Sequence, residues 1–209
     1  MRKAIIALAL AAATIAPVSA HPHVFIDLSL SFEFDGERCL GFWQEWSFDP
    51  VFSAQIRYDF ALPDAGPLSR AQQDELYEGA FINLRRYGFY TLLRRGDKRT
   101  SPKAVTRFGA ELRGDRVVYR FYLPLDESYS GGFNVAIFDT TYYSAIRYVG
   151  EPRFTQAREG GAAPRFAVQA DRRFPVYYNP QAGAQDMTTY TKPGPGILTV
   201  YPDEIAVRF

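Results

Sequence analysis

The chain holds two histidines, His21 and His23, separated by a single proline. Imidazole is the commonest protein ligand for Zn, Cu and Ni, so this pair is the first place where the sequence offers chemistry. If the chain is cut after Ala20, His21 becomes residue one. Its free amine, with a pKa of about 8, can then chelate an ion together with its own imidazole. His23 lies two residues on, on the same side of an extended backbone, and can supply a third nitrogen. Pro22 has no amide proton, which closes the terminal Cu/Ni mode that uses deprotonated backbone amides. The site would have the form of a histidine brace and needs oxygen ligands from elsewhere in the fold. Asp139, which follows the apolar run Phe133–Phe138, and Asp49 are the expected donors. Helix capping and turn building compete for both carboxylates. Asp27 is on the same strand face as His23 but about 13 Å away along the strand, too far to share an ion.

The N-terminus supports such a cut. Arg2 and Lys3 precede the apolar run Ala4–Ala13, and Pro17-Val18-Ser19-Ala20 places small residues where a signal peptidase reads them. The expectation is a signal peptide over residues 1–20 and a single soluble β-rich domain over 21–209, in the periplasm or secreted. The apolar run is shorter than the roughly 20 residues a membrane helix needs, and no later stretch reaches that length, so no membrane span is expected in the mature chain. With 24 basic and 23 acidic side chains the net charge is +1, which provides no global field for nucleic acid. Cys39 is the only cysteine. It can form no internal disulfide and reads as a small buried hydrophobe on a strand.

The elements that must position these residues follow from periodicity. Val24, Ile26, Leu28, Leu30, Phe32 and Phe34 alternate with mostly polar residues, the signature of a half-buried strand. Asp35-Gly36 is a hairpin signal, with a return strand over Cys39–Phe48. Asp49-Pro50 reads as an N-cap and first helical residue of a short helix to about Asp59. Ser69 and Gln72 have capping-box spacing and open a helix predicted to about Arg86, stopped by Gly88. Further strands are predicted at Tyr90–Leu93, Ala104–Leu112, Arg116–Leu123, Phe133–Phe138, Ser144–Val149, Arg165–Val168 and Ile197–Phe209, with a Gly-rich loop at Glu159–Pro164. Seven to nine short strands with one or two helices define an α+β fold, mainly antiparallel β-sheet or sandwich.

No nucleophile-elbow, dinucleotide or phosphate-loop motif occurs. A brace-type copper oxidase would need a third, distant histidine, which the chain lacks. The protein is expected not to be an enzyme; a zinc hydrolase with His, His, Asp and an open water position is the best catalytic alternative.

Four segments in chain order resemble a known family: His21-Pro-His-Val-Phe-Ile-Asp27, Trp46-Ser-Phe-Asp49, Asn83-Leu-x-x-Tyr87-Gly88-Phe89 and Asp139-Thr-Thr-Tyr-Tyr143. They are similar to the uncharacterised periplasmic component of ABC-type transport systems (domain of unknown function 1007), over about Ala20 to Val149. The resemblance implies a role in transition-metal transport, notably Ni, Co or Zn, with inner-membrane metal transporter components as partners. A calcium-loop-like stretch of that family falls on Ala61–Gln72, where Ala61, Pro63, Ala65 and Gln72 stand at ligand positions. Without carboxylates no calcium site is expected there. The combined expectation is a periplasmic protein that binds a divalent transition metal (Zn, Ni, Co or Cu) through His21-Pro-His23. The alternatives are a zinc hydrolase or a non-metal docking or solute-binding accessory protein of a transporter. The docking form would use the aromatic segments Tyr87, Phe89-Tyr90, Tyr142-Tyr143 and Tyr177-Tyr178.

Overall fold

The computed structural model describes residues 22–126, 129, 131–157, 163–182 and 188–209. The expected signal peptide, His21 and most of the expected Gly-rich loop lie outside the described residues. The alternating segment forms β1 (Val24–Asp35), whose six inward residues from Val24 to Phe34 are at most 4% exposed. A turn at Gly36 returns the chain as β2 (Arg38–Phe48), antiparallel to β1. Leu40 is an extra residue in this pairing, because Glu33 faces Gly41 while Phe34 faces Cys39. The bulge needs Gly41: a Cβ there would sit 2.4 Å from the carbonyl oxygen of Leu123.

Cys39 is fully buried beside this bulge and its thiol donates to the Gly41 carbonyl at 3.5 Å. Burial pushes its pKa up to about 12. Only the thiolate reacts, so a disulfide reagent at pH 8 should leave native Cys39 untouched and label it at the unfolding rate. Stoichiometric labelling of the native protein within minutes would contradict this environment.

Helix α1 (Pro50–Asp59) starts as the sequence predicts, and α2 (Arg70–Gly79) opens with the Ser69–Gln72 capping box. The predicted continuation to Arg86 is corrected: α2 ends at Gly79, and Phe81–Tyr90 form a 3-10 segment. A Cβ on Gly79 would lie 2.8 Å from the Phe60 ring, so the glycine admits close packing of α2 on the end of α1. Glycine also costs about 1 kcal/mol of helix propensity, which favours ending the α-helix there. The segment closes with Gly88, Phe89 and Tyr90 in the left-handed region, at φ of 60°, 52° and 54°. Bulky residues adopt that conformation only when their surroundings over-determine it. Here both rings are buried, Phe89 against Phe81 and Tyr90 against Trp46.

Among the described residues eleven more strands follow: β3 (Thr91–Arg95), β4 (Lys98–Thr100), β5 (Thr106–Arg113), β6 (Arg116–Pro124), β7 (Phe133–Ile137), β8 (Ser144–Tyr148), β9 (Arg153–Gln156), β10 (Arg165–Ala170), β11 (Val176–Tyr178), β12 (Leu198–Val200) and β13 (Asp203–Arg208). One sheet has the order β5-β6-β2-β1-β8, with β9 also on β1; a second has the order β10-β13-β7-β3-β4; β11 and β12 pair separately. The strand count exceeds the seven to nine expected because β4, β9 and β11 are only three or four residues long. The single strand predicted over Ile197–Phe209 is split into β12 and β13 at Pro202, which has no amide for a ladder. Pairing is also not uniformly antiparallel, since β8 and β9 run parallel to β1. The chain leaves β7 in the second sheet, turns through residues 138–143, and enters the first sheet from the same end as β1.

The two large sheets face each other across an aromatic core. Phe32 meets Phe133 at 6.3 Å, and the buried amide of Gln44 donates to Thr91 Oγ1 while accepting from the Trp46 indole. The end of the first sheet that carries Trp46 and Phe48 is covered by the helical segments, with Phe81 against Trp46 and Phe121 and with Phe52 against Phe48. On the second sheet, Glu204 of β13 is 2% exposed and accepts from Arg94 of β3, Arg99 of β4 and Asn134 of β7. No helix among the described residues is long and apolar enough to cross a membrane.

Candidate functional site

Of the sequence-expected site residues, His23, Asp49 and Asp139 lie at one end of the first sheet, where β1 begins, β2 ends and β8 begins, and His21 lies outside the described residues. The backbone amide of His23 donates to the Tyr143 carbonyl at 2.8 Å, and that of Val24 to the same oxygen at 3.2 Å. The His23 and Tyr143 rings lie 5.0 Å apart. His23 is therefore held in place by the corner that joins the two sheets.

Asp139 organises that corner. Its side chain is fully buried. Oδ1 accepts from the Thr141 amide (2.9 Å) and the Thr141 hydroxyl (2.7 Å), and Oδ2 accepts from the Ser144 amide (3.0 Å). Its own carbonyl accepts from the Tyr142 amide, which closes a turn that leaves Tyr142 at φ 57°. Burial, together with the Asp139 charge, pushes the Tyr90 hydroxyl pKa above its ordinary value. Asp49 is engaged in the same way. Oδ1 accepts from the amides of Val51 and Phe52, capping α1, and Oδ2 accepts from the amide of Phe25 at 2.9 Å. Both carboxylates thus serve backbone amides that fix β1, α1 and the corner. Asp27 pairs instead with Arg147.

The structure brings His23, Asp49 and Asp139 to one end of the fold without joining them. Among the described residues, no three His, Cys, Asp or Glu side chains come together as a metal cluster. Of the aromatic segments expected in a docking patch, Phe89 and Tyr90 are buried in the core, and the Tyr142 and Tyr178 rings lie 4.0 Å apart.

A pocket of about 290 Å³ adjoins the corner, between α1, the 3-10 segment and the inner face of the first sheet. Tyr143 and Ser144 form one wall, and Trp46, Phe48, Phe52 and Tyr90 form much of the remainder. Asp59 and Gln55 of α1 stand at its edge, with Gln55 donating to Asp59 at 2.7 Å. The sequence reading missed this pocket, which is assembled from elements far apart in the chain. Its one local signal is the i, i+4 spacing of Phe52 with Ile56 and of Gln55 with Asp59 on one short helix.

Fold and corner together define an α+β protein of two large sheets whose first strand is fastened, at His23 and Val24, to a carboxylate-built turn. The chain belongs to the family described as protein of unknown function (DUF1007), whose model matches residues 6–208. It is 25% identical over 136 residues to an uncharacterized protein of Haemophilus influenzae, a match covering 63% of this chain and 64% of that protein. It is 28% identical over 112 residues to an uncharacterized 15.5 kDa protein in the trpE 3' region of Spirochaeta aurantia, covering 49% of this chain and 80% of that protein. The chain thus spans less than two thirds of the length of the Haemophilus relative.

Proposed function

We propose that the mature chain is an exported metal-binding protein. It holds one divalent transition ion (Zn, Ni, Co or Cu) with the imidazoles of His21 and His23 and the amine exposed by cleavage before His21. From the periplasm it passes the ion to inner-membrane transporter components. One observation carries this reading: His23, the second histidine of the pair, is fastened to Tyr143 by backbone and ring. Asp49 and Asp139, first expected as oxygen ligands, act in this reading as the braces of the corner, and water completes the coordination. Nitrogen-rich ligation suits these metals, with affinity rising toward Cu.

The test is titration of the chain beginning at His21, with the terminus verified by mass spectrometry, against Zn, Ni, Co and Cu(II). One-to-one binding is expected. It should fall at least about tenfold when one residue is added before His21 and further in the His21→Ala/His23→Ala double variant, since losing a ligand costs at least as much as losing a supporting contact. Unchanged affinity in the double variant would remove the histidines from the site and end this proposal.

A further inference from the structure

We propose that the aromatic pocket beside the corner binds a small organic cation, an ammonium carried on an apolar body. This holds whatever the terminal histidines bind.

Three observations point to that chemistry. The first is the wall. Eight of the pocket's lining residues are aromatic, and of these Phe52, Phe60 and Tyr143 keep part of their ring surface open, while Trp46, Phe48, Tyr90 and Tyr119 are buried against one another. Aromatic faces carry negative quadrupole density and attract a cation held within about 6 Å, most strongly where water is excluded. The second is charge. Among the described residues, no Lys, Arg or His lines the pocket, and Asp59 is the one carboxylate in its lining. The neighbouring Arg57 turns to Asp64 at 2.5 Å, and Asp59 receives only the neutral amide of Gln55. A cation entering the pocket meets a carboxylate at its edge and an aromatic lining; an acyl carboxylate would meet a like charge. The third is access and size. Phe52, Phe60, Leu84 and Tyr143 are only partly buried, so the pocket opens to solvent. Its volume of about 290 Å³ is room for about ten waters at about 30 Å³ each, which suits a ligand of roughly that many heavy atoms.

The test uses the mature chain in the presence of a chelator, so that it does not depend on metal binding. Three probes of one shape class are titrated: benzyltrimethylammonium, its neutral isostere neopentylbenzene, and the anion phenylacetate. The readout is tryptophan fluorescence, since Trp46 forms part of the wall. The ammonium is expected to bind at least about tenfold more tightly than the neutral isostere, and phenylacetate more weakly than either, from the cation–π and charge terms together. Asp59→Asn is expected to weaken the ammonium about fivefold and leave the neutral isostere unchanged, as suits a charge partner near solvent. Ala80→Leu, which fills the pocket from its lining, is expected to abolish binding of all three, with far-UV circular dichroism verifying the fold. The proposal is overturned if no probe binds, if the isostere or phenylacetate binds as tightly as the ammonium, or if Asp59→Asn leaves the preference intact. Ammonium binding that survives in folded Ala80→Leu would overturn it as well, because the site would then lie elsewhere.

Discussion

Replacing Glu204 with alanine is expected to lower the unfolding free energy by about 3–5 kcal/mol, the usual cost of removing one partner of a buried ion pair. The carboxylate is 2% exposed and gathers three strands of the second sheet: Arg94 donates Nε at 3.0 Å, Arg99 at 3.0 Å and Asn134 at 3.1 Å. Without it, the Arg94 guanidinium keeps Asp171 at 3.1 Å but loses its main anion. Urea denaturation measures the effect, and a loss below about 1 kcal/mol would mean the cluster contributes only as a surface pair does. The pH dependence has a definite sign. Burial alone would raise the Glu204 pKa, but hydrogen bonds from Arg94, Arg99 and Asn134 outweigh it and hold the carboxyl below its usual range. A depressed native pKa means that the unfolded chain takes up the proton first. The contribution is therefore complete above the unfolded value of about 4.3 and is lost as pH falls through the native value. Glu204→Gln, which cannot ionise, should flatten that part of the stability–pH curve.

Asp139→Ala should have a comparable effect and a wider one. It strands the buried amides of Thr141 and Ser144 and the Thr141 hydroxyl. Each unsatisfied buried donor costs about 1–3 kcal/mol, so a total of about 3–4 kcal/mol is expected after partial relaxation. Because the corner also carries the Tyr143 carbonyl that holds His23 and Val24, their amides should lose hydrogen-exchange protection in the variant. Asp139→Asn keeps an acceptor and should fall between. If Asp139→Ala folds with wild-type stability and protected His23 and Val24 amides, the corner is held by its strands and not by the carboxylate.

Local features of this protein were legible in the sequence because they are set by neighbours in the chain. The alternation from Val24 to Phe34 became a strand with its apolar side inward, Asp49-Pro50 became a capped helix start, and Ser69 with Gln72 became a capping box. What was not legible depends on distant partners. Gly79 ends α2 where the Phe60 ring packs closely against it, and the left-handed Phe89 and Tyr90 make sense only against Phe81 and Trp46. Asp139 was visible as a carboxylate at the end of an apolar run. The sequence does not reveal that its oxygens serve Thr141 and Ser144, since donors two and five residues away serve a turn as readily as they leave a ligand open. The aromatic pocket joins residues of β1, β2, α1, β6 and β8, and no single window of sequence contains it.

The parallel pairing of β8 and β9 with β1 bears on how the molecule is built in time. Val24 must find Ser144, and Ser31 must find Arg153, across about 120 residues of chain. Contacts of such separation carry a large loop-closure cost before they return any stability, and they slow folding. The β1–β2 hairpin can form from local sequence, whereas the clasp on His23 waits for the chain to reach Tyr143. His23 is thus made early in synthesis and is among the last residues to be set in place.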